Sequence, residues 1–517
     1  MKIERSKNAV RNIFFSSIKQ IYNQLVPFLM RTVMIYTLGM EYLGLNSLFT
    51  SVLSVLSLAE LGVGSALVFS MYKPIAEDDE VTICALMKLY RTYYRIIGLV
   101  IMVLGMVLIP FIPKLIKGTV PDGMNVYILY IMNLAATVIS YWLFAYKNCL
   151  LSAHQRIDVA SKISMIITTV QYSLQIIVLV FAKNYYMYVL IPIIFGILGN
   201  VITSFVVSKY YPKYHPKGDL PKERVKEINK KVKDLFTAKL GGIIMDSVDT
   251  IVISAFLGLT LLATYQNYFY IMNAVLSMVT IVFSSCTAGI GNSIVVETEK
   301  KNFNDLKKFT LIISWVLGFC ICCLACLYQP FMELWIGKEE LLDFKFVICF
   351  CAYFYIRQIN ALLNLYKDAA GLWHQDRFRP LVVSLVNLVM NLVMVQFIGL
   401  YGIIVSTILS MLIVGIPWIL KNLFTVLFHT NPQKYILQII FYLIISVSAC
   451  VICVVISNRF INFNSLILTM IVRAIPCVLV PNILFFLICR KSQEFKSSAA
   501  LVDGLTKGKI KIIKKLY

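Results

Sequence analysis

Ionisable side chains interrupt several apolar segments of this chain, and they are the first residues to consider for chemistry. The cations are Lys19, Arg31 and Arg357, and the carboxylates are Glu60, Asp246 and Asp249. A charge at bilayer depth costs at least ~2.5–3.5 kcal/mol on insertion scales, so it usually has a partner or a function. We therefore treat all six as candidate site residues. Internal ion pairs, for example Arg31 with Glu60, are the structural alternative.

Polar residues recur with helical spacing on two of these segments. One face carries Ser16, Gln20, Asn23, Pro27 and Arg31, and another carries Tyr353, Arg357, Asn360, Asn364 and Lys367. Subtracting 220 from the second set gives a third face that includes Asn133 and Lys147. Helices that face lipid would not keep such stripes. The stripes therefore predict helices that line a shared, water-filled cavity.

The elements that position these residues are predicted to be membrane helices. Of the 517 residues, 59% are hydrophobic and 14% are charged, against about 45–50% and about 25% in ordinary globular chains. Runs of ~18 or more apolar residues recur throughout, and the alternation of a membrane barrel is absent. We expect an all-α integral membrane protein with about fourteen transmembrane helices. The predicted spans lie at about 14–38, 44–70, 92–112, 124–146, 159–182, 186–208, 235–257, 262–290, 309–328, 344–366, 380–398, 401–420, 435–457 and 465–489.

Basic residues concentrate on one side of the predicted membrane. With a cytoplasmic N-terminus, 38 of the 48 Lys and Arg residues fall on the cytoplasmic side and six on the opposite side. This asymmetry follows the positive-inside rule. It places both termini in the cytoplasm and requires an even number of spans. The segment "MKIERSKNAVRN" lacks a small-residue cleavage site, so we interpret it as the start of an uncleaved first helix.

The chain repeats one plan at a spacing of 219–220 residues. The stretches "AYKNCLLSAHQR" (145–156) and "LYKDAAGLWHQDR" (365–377) share Tyr-Lys and His-Gln, and "TLG" at 37–39 matches "FLG" at 256–258. This pattern predicts two six-helix lobes in a parallel repeat about a pseudo-twofold axis along the membrane normal. The expected divisions are an N-terminal lobe (1–208), a basic cytoplasmic linker (209–234), a C-terminal lobe (235–424), two additional helices (425–490) and a basic cytoplasmic tail (491–517).

Other classes of function lack their sequence signatures. The 13 cysteines lie mostly inside spans, and no Cys/His spacing typical of a metal site occurs, so we expect no metal and no cofactor. No GxxxxGK[ST] motif occurs, which argues against an ATP-driven pump. The basic segments lack aromatic interleaving, and we interpret them as retention charges near anionic lipid, not as nucleic-acid sites.

Three stretches resemble a known family. They are "GMEYLGLNSLFTSVLSVLSLAELGVGSAL" (Gly39–Leu67), "FMELWIGKE" (Phe331–Glu339) and "IGLYGIIVSTILS" (Ile398–Ser410). With the two lobes and two extra helices, they resemble the polysaccharide-transporter branch of the multidrug/oligosaccharidyl-lipid/polysaccharide (MOP) exporter superfamily, which includes Wzx-type O-antigen flippases. The resemblance implies a MATE/MurJ-like fold. It also implies a non-enzymatic flippase in the bacterial cytoplasmic membrane that moves undecaprenyl-diphosphate-linked oligosaccharide by alternating access for surface polysaccharide synthesis.

This resemblance assigns roles to the polar residues. A diphosphate needs cations, and Arg can bind phosphate in fork geometry, so Arg31, Arg357 and Lys19 are its expected ligands. Gln20, Asn23, Asn133, Asn360 and Asn364 are expected to contact the glycan. Asp246, Asp249 and Glu60 are candidates for H⁺ or Na⁺ coupling. Expected partners are the lipid-linked oligosaccharide, membrane lipid, and a polysaccharide polymerase and glycosyltransferases, without nucleic acid.

Related functions remain as alternatives. A lipid II-type or sporulation-related flippase needs the same diphosphate site. A multidrug cation antiporter of the superfamily usually has twelve spans and an acidic cavity, which fits this chain less well. A membrane glycosyltransferase or polymerase generally needs a substantial outer loop with catalytic acids. Here the longest predicted outer loop is 329–345, and we interpret its acidic residues as solvated loop charges.

Overall fold

The chain folds into helices that group into two compact units. The computed structural model describes residues 5–505 except 119, 122 and 462, and these described residues contain no strand. The units are Met1–Ala263 (unit 1) and Thr264–Tyr517 (unit 2). The first nine helices are α1 Arg5–Thr37, α2 Met40–Leu56, α3 Val63–Ala76, α4 Glu80–Leu108, α5 Val126–Trp142, α6 Asn148–Ala153, α7 Ile157–Ile177, α8 Tyr185–Tyr210 and α9 Lys222–Leu257. The others are α10 Leu259–Val296, α11 Glu299–Ile336, α12 Phe344–Ala369, α13 Trp373–Asp376, α14 Arg379–Ile398, α15 Leu400–Ser410, α16 Ile416–Val426, α17 Gln433–Phe460, α18 Leu466–Cys489 and α19 Gln493–Leu505.

Capping residues set the helix boundaries. Asp79 precedes α4, and its Oδ1 accepts a hydrogen bond from the backbone N–H of Thr82 at 3.0 Å, which satisfies a donor that the first turn leaves open. Gly39 and Gly258 end α1 and α9 with φ of 109° and 98° and ψ of 174° and 173°. Residues other than glycine rarely adopt this backbone conformation. Because the sequence repeat matches these two glycines, both halves end the corresponding helix with the same backbone turn.

Sharp breaks separate two pairs of consecutive helices, α2–α3 and α5–α6. Between α2 and α3, the 3₁₀ turn Ser57–Glu60 leads to Gly62, whose φ is 89°. A Cβ at Gly62 would lie 2.7 Å from Leu235 Cβ and 2.9 Å from Val232 O, so glycine also lets α9 pack against this break. Between α5 and α6 the helix axis bends by 46°, and Phe144 adopts a φ of 55°. Broken helices at membrane depth are typical of transporter binding sites.

The membrane class predicted from composition is confirmed. Within the described residues, ten helices are long and apolar enough to span a membrane, and the bent pair α5–α6 makes an eleventh. The predicted spans 14–38, 44–70 and 262–290 coincide with α1, with the pair α2–α3 and with α10. In the described part of the chain, these helices are not among the eleven. A count of fourteen crossings therefore stays a prediction. The lobe boundaries stay a prediction as well. α9 begins inside the predicted linker and packs against α2 and α3 of unit 1.

Apolar side chains cover much of the outer surface. In the span Ile157–Ala182, only 11% of the most apolar stretch of 18 residues is buried inside the protein. Phe181, Phe205 and Phe397 are 83%, 72% and 81% exposed. Exposed apolar surface of this extent is solvated by lipid in a membrane protein.

Helix α11 is the centre of unit 2 and packs against α12, α17, α18 and α19. The Trp315 ring stacks on Phe485 of α18 and Phe495 of α19, with centroids 5.7 and 6.0 Å apart. The predicted spans 435–457 and 465–489 are therefore helices that pack on α11.

Candidate functional site

The polar face of α1 combines amides with two cations. Gln20 and Asn23 are exposed, while Lys19 and Arg31 are partly buried. Arg31 lies within electrostatic range of the Tyr188 hydroxyl on α8. The helical spacing thus places these groups on α1 as predicted, and their roles toward phosphate and glycan stay predictions.

The polar face of α12 carries the second arginine. Arg357 donates a hydrogen bond to the Tyr353 hydroxyl, and its guanidinium carbon lies 5.6 Å from the centre of that ring. The buried Oδ1 of Asn360 has no hydrogen-bond partner among the described residues. Asn364 Nδ2 donates to the Asn360 carbonyl at 2.8 Å, and Asn133 on α5 donates to a carbonyl one turn earlier at 2.8 Å. The contacts of Asn133, Asn360 and Asn364 with a glycan stay predictions.

Asn364 and Lys367 also join an ion network at the end of α12. Arg379 Nε and Nη2 donate to the two oxygens of Asp376 at 2.7 and 2.8 Å, and Nη2 also donates to Asn364 Oδ1 at 2.6 Å. Lys367 Nζ lies 2.8 Å from Asp368 Oδ1 and 3.5 Å from Asp376 Oδ2. Asp376 and Arg379 are buried. This network holds the turn between α12 and α14.

The turn at residues 154–158 of unit 1 corresponds in the sequence repeat to the turn between α12 and α14. It is also held by a buried polar group. Arg156 Nε lies 3.1 Å from Oδ1 of the buried Asp158. His154 is buried, and its Nδ1 lies 2.9 Å from the Leu150 carbonyl oxygen. Its ring centre lies 4.3 Å from that of Tyr211, with the two planes tilted by 31°. Burial lowers the pKa of His154 below its usual value, because a charged imidazole would lose its hydration. The repeated His-Gln sequence therefore marks two structural turns.

The three predicted coupling carboxylates have different surroundings. The side chain of Asp246 lies outside the described part of the chain. Asp249 is partly buried on α9. Glu60 ends the 3₁₀ turn between α2 and α3. Its described hydrogen bonds come from two tyrosines and do not involve Arg31, the partner considered from the sequence.

Both oxygens of Glu60 accept a phenolic hydrogen bond. Tyr94 OH donates to Oε1 at 2.7 Å, and Tyr141 OH donates to Oε2 at 2.8 Å. Tyr90 OH lies 2.9 Å from Tyr94 OH and supplies the proton of that contact, because the Tyr94 proton is directed at Glu60. A Cβ at Gly64 would lie 2.9 Å from Tyr90 OH, so the small residue makes room for the phenols. We call Glu60, Tyr90, Tyr94 and Tyr141 the Glu60 cluster.

A cavity of about 450 Å³ adjoins the Glu60 cluster. Its polar lining includes Ser65, Asn148, Ser152, Asn200 and Thr203. The rings of Tyr90, Tyr94 and Phe144 also line it. A fixed carboxylate, amides, hydroxyls and aromatic rings thus face one space within unit 1.

Sequence reasoning named Glu60 but missed the other members of this site. Tyr94 and Tyr141 are 34 and 81 residues away from Glu60 in the chain, and tyrosine is common in apolar segments. One available signal was the i, i+4 spacing of Tyr90 and Tyr94 in a helix that follows the Glu60 segment.

Comparison with known families identifies the chain. The model of the family described as "Polysaccharide biosynthesis protein" matches residues 9–287, which is more than half of the chain. The chain belongs to this polysaccharide biosynthesis protein family. No curated protein matches it at a significant level.

Two solved structures share the fold of this family member. A lipid II flippase, MurJ, in an inward closed conformation, is 15% identical with a TM-score of 0.66, over 92% of this chain and 99% of that chain. The MATE transporter VcmN of Vibrio cholerae, crystallised as a point mutant, is 14% identical with a TM-score of 0.52, over 82% of this chain and 99% of that chain. The predicted MATE/MurJ-like fold is thereby confirmed.

Proposed function

We propose that the chain is a flippase that translocates undecaprenyl-diphosphate-linked oligosaccharide across the bacterial cytoplasmic membrane for surface polysaccharide synthesis. The family match over residues 9–287 carries this proposal. The polar faces of α1 and α12 support it, because each helix carries an arginine together with amides. Translocation proceeds by alternating access, in which the substrate shifts the balance between inward-open and outward-open states.

The residue roles within this proposal follow from charge. Arg31, Arg357 and Lys19 bind the diphosphate, since partly buried cations attract phosphate more strongly than solvated ones. The amides of Gln20, Asn23, Asn133, Asn360 and Asn364 contact the glycan. Asp246, Asp249 and Glu60 are the candidates for binding the coupling H⁺ or Na⁺. A polysaccharide polymerase and glycosyltransferases act on the same lipid-linked glycan as partners.

Arginine substitution tests the diphosphate site. In liposomes that contain the purified chain and a defined lipid-linked oligosaccharide, Arg31→Ala and Arg357→Ala should each lower the translocation rate at least about 10-fold, because a charge-assisted bond to phosphate is lost. Lys replacements should retain part of the rate, because they keep the charge but not the fork geometry.

Lys73→Ala is the matched control, since Lys73 is 80% exposed and pairs with Glu77, the residue that caps the end of α3. It should translocate like the wild type. Wild-type rates for both arginine-to-alanine variants, at equal amounts of protein in the liposomes, would rule out the cationic site.

The nearest alternative is a flippase for lipid II. The MurJ fold likeness favours it, although that likeness at 15% identity concerns the fold. The same liposomes distinguish the two functions when they are loaded with lipid II instead of the lipid-linked oligosaccharide.

A further inference from the structure

The cavity beside the Glu60 cluster has the wrong charge for a diphosphate. None of the described residues that line it is a lysine or an arginine, while Glu60 contributes a carboxylate. A phosphate there would meet a like charge without a compensating cation. The cavity is therefore suited to a neutral, hydroxyl-rich part of a substrate.

The carboxylate is held ready to accept further hydrogen bonds. Each oxygen of Glu60 takes one phenolic bond, whereas an ionised carboxylate offers about four acceptor positions. About half of them remain for a ligand that enters the cavity. Because the two phenols fix the rotamer, a ligand does not have to order this side chain on binding.

Amides and hydroxyls surround the remaining space. Asn148 begins α6 and is exposed, and Ser152 lies one turn later. Thr203 and Asn200 approach from α8, where Asn200 Nδ2 donates to the Ser140 carbonyl at 3.0 Å. These groups can both donate to and accept from hydroxyls, which suits a ligand with many of them.

Phe144 supplies an apolar wall in a strained backbone position. Its φ of 55° lies in the left-handed region, which is uncommon for a residue with a bulky side chain. Its side chain is 40% exposed and lines the cavity. Such strain persists where the surrounding structure imposes it and is frequent at ligand sites. A ring beside polar groups matches the two faces of a sugar, one of C–H groups and one of hydroxyls.

We infer that this cavity is a sugar subsite in which Glu60 and Asn148 bind hydroxyls of one glycan residue and Phe144 packs against its C–H face. A volume of about 450 Å³ lies within the ~300–1,000 Å³ of small-molecule sites. The inference rests on the proposed function, and it assigns the sugar specificity of that function to residues in unit 1. The amino acids of α1, α5 and α12 that are predicted to contact the glycan would then bind its other sugar units.

Binding of simple sugars tests the subsite without the full substrate. The full-length chain in lipid nanodiscs is titrated with four methyl glycosides: a neutral hexose, an N-acetylhexosamine, a hexuronic acid and a cationic hexosamine. Binding is followed by saturation-transfer NMR. We expect a neutral probe to bind, and we expect Asn148→Ala and Glu60→Gln each to weaken it about 10-fold.

Asn148→Ala removes an exposed side chain at a helix start, so it keeps the test meaningful if Glu60→Gln does not fold. Asn46→Ala on α2, outside the cavity, is the matched control and should bind within about twofold of the wild type. Binding of the cationic probe alone would overturn the inference in favour of a cation site. Equal binding by the wild type, Asn148→Ala and Glu60→Gln would also overturn it.

The translocation assay separates this inference from the proposed function. If the wild type translocates the lipid-linked oligosaccharide while the glycosides bind independently of the cavity residues, the function stands and the subsite is wrong. If the cavity residues control glycoside binding while the liposomes show no translocation, the subsite stands and the flippase proposal is wrong.

Discussion

Glu60 and Asp249 are both carboxylates on predicted membrane spans, but the structure places them in different surroundings. Glu60 has a phenol on each oxygen, and these bonds fix its side chain beside the cavity of unit 1. Asp249 is partly buried within the apolar segment Leu240–Leu257 of α9. A carboxylate that stays charged there costs at least ~2.5–3.5 kcal/mol on insertion scales. Binding a proton or a cation lowers that cost, and we propose Asp249 as an ion-coupling residue on that ground.

Loss of this carboxylate should uncouple transport from its ion gradient. In liposomes with an imposed H⁺ or Na⁺ gradient, Asp249→Asn should translocate substrate at a rate that no longer depends on the gradient, because asparagine cannot ionise. The double variant Asp246→Asn/Asp249→Asn covers compensation by the neighbouring acid. Asp219→Asn, at a position that is 85% exposed, should keep the dependence. Unchanged gradient dependence in the double variant would make both acids structural.

The sequence predicts which single residues are unusual, but not their partners. Glu60 was identified because a charge in an apolar run is costly. Its bonds to Tyr94 and Tyr141 depend on how α4 and α5 pack around the break after α2, which no local pattern encodes. Likewise Asn364 fits a polar stripe, while its bond to Arg379 requires the turn through α13.

At the scale of elements, the turn between α12 and α14 depends on one buried acid. Asp376 accepts from Arg379 at two positions, and it also lies 3.5 Å from Lys367 Nζ and 3.4 Å from Asn422 Nδ2. Since several groups converge on Asp376, its loss leaves more charge unpaired than the loss of any one partner. The two ends of the turn are thus held by side chains from α12, α13, α14 and α16.

Neutralising this acid should destabilise the fold strongly. Removing one partner of a buried ion pair typically costs about 3–5 kcal/mol, and we expect a loss of that size in the free energy of unfolding for Asp376→Asn. Arg379→Met should cost less, because Lys367 and Asn422 still contact Asp376. Glu77→Gln breaks an exposed i, i+4 pair and should change the free energy by less than about 0.5 kcal/mol. Denaturant unfolding in detergent micelles measures all three. A smaller effect for Asp376→Asn than for Arg379→Met would contradict this account.

At the scale of the molecule, hydropathy predicts the helices well and their irregularities poorly. Spans such as 159–182 and 186–208 agree with Ile157–Ala182 and Tyr185–Tyr210 within two residues, because long apolar runs have few alternatives in a membrane. The basic segment 209–234 was interpreted as a linker, yet α9 begins at Lys222. There Lys88 Nζ lies 2.9 Å from Asp219, and Tyr93 donates to Asn229 at 2.5 Å. These contacts hold in place a polar segment that hydropathy predicts to be a linker.

The number of crossings decides where the two ends of the chain lie. Eleven crossings would place the termini on opposite sides of the membrane, whereas fourteen would place both on the same side. The 38-to-6 distribution of Lys and Arg favours the even number, because translocating a basic segment is costly. This requires α1, the pair α2–α3 and α10 to cross as well.

Fusions of alkaline phosphatase after residues 38, 78 and 183 and at the C-terminus, expressed in a bacterial host, should be active only after 38 and 183. Green fluorescent protein fused at the same four positions should fluoresce only after 78 and at the C-terminus. Phosphatase activity at the C-terminus together with fluorescence after residue 38 would show that α1 does not cross, and the even-numbered topology would be wrong.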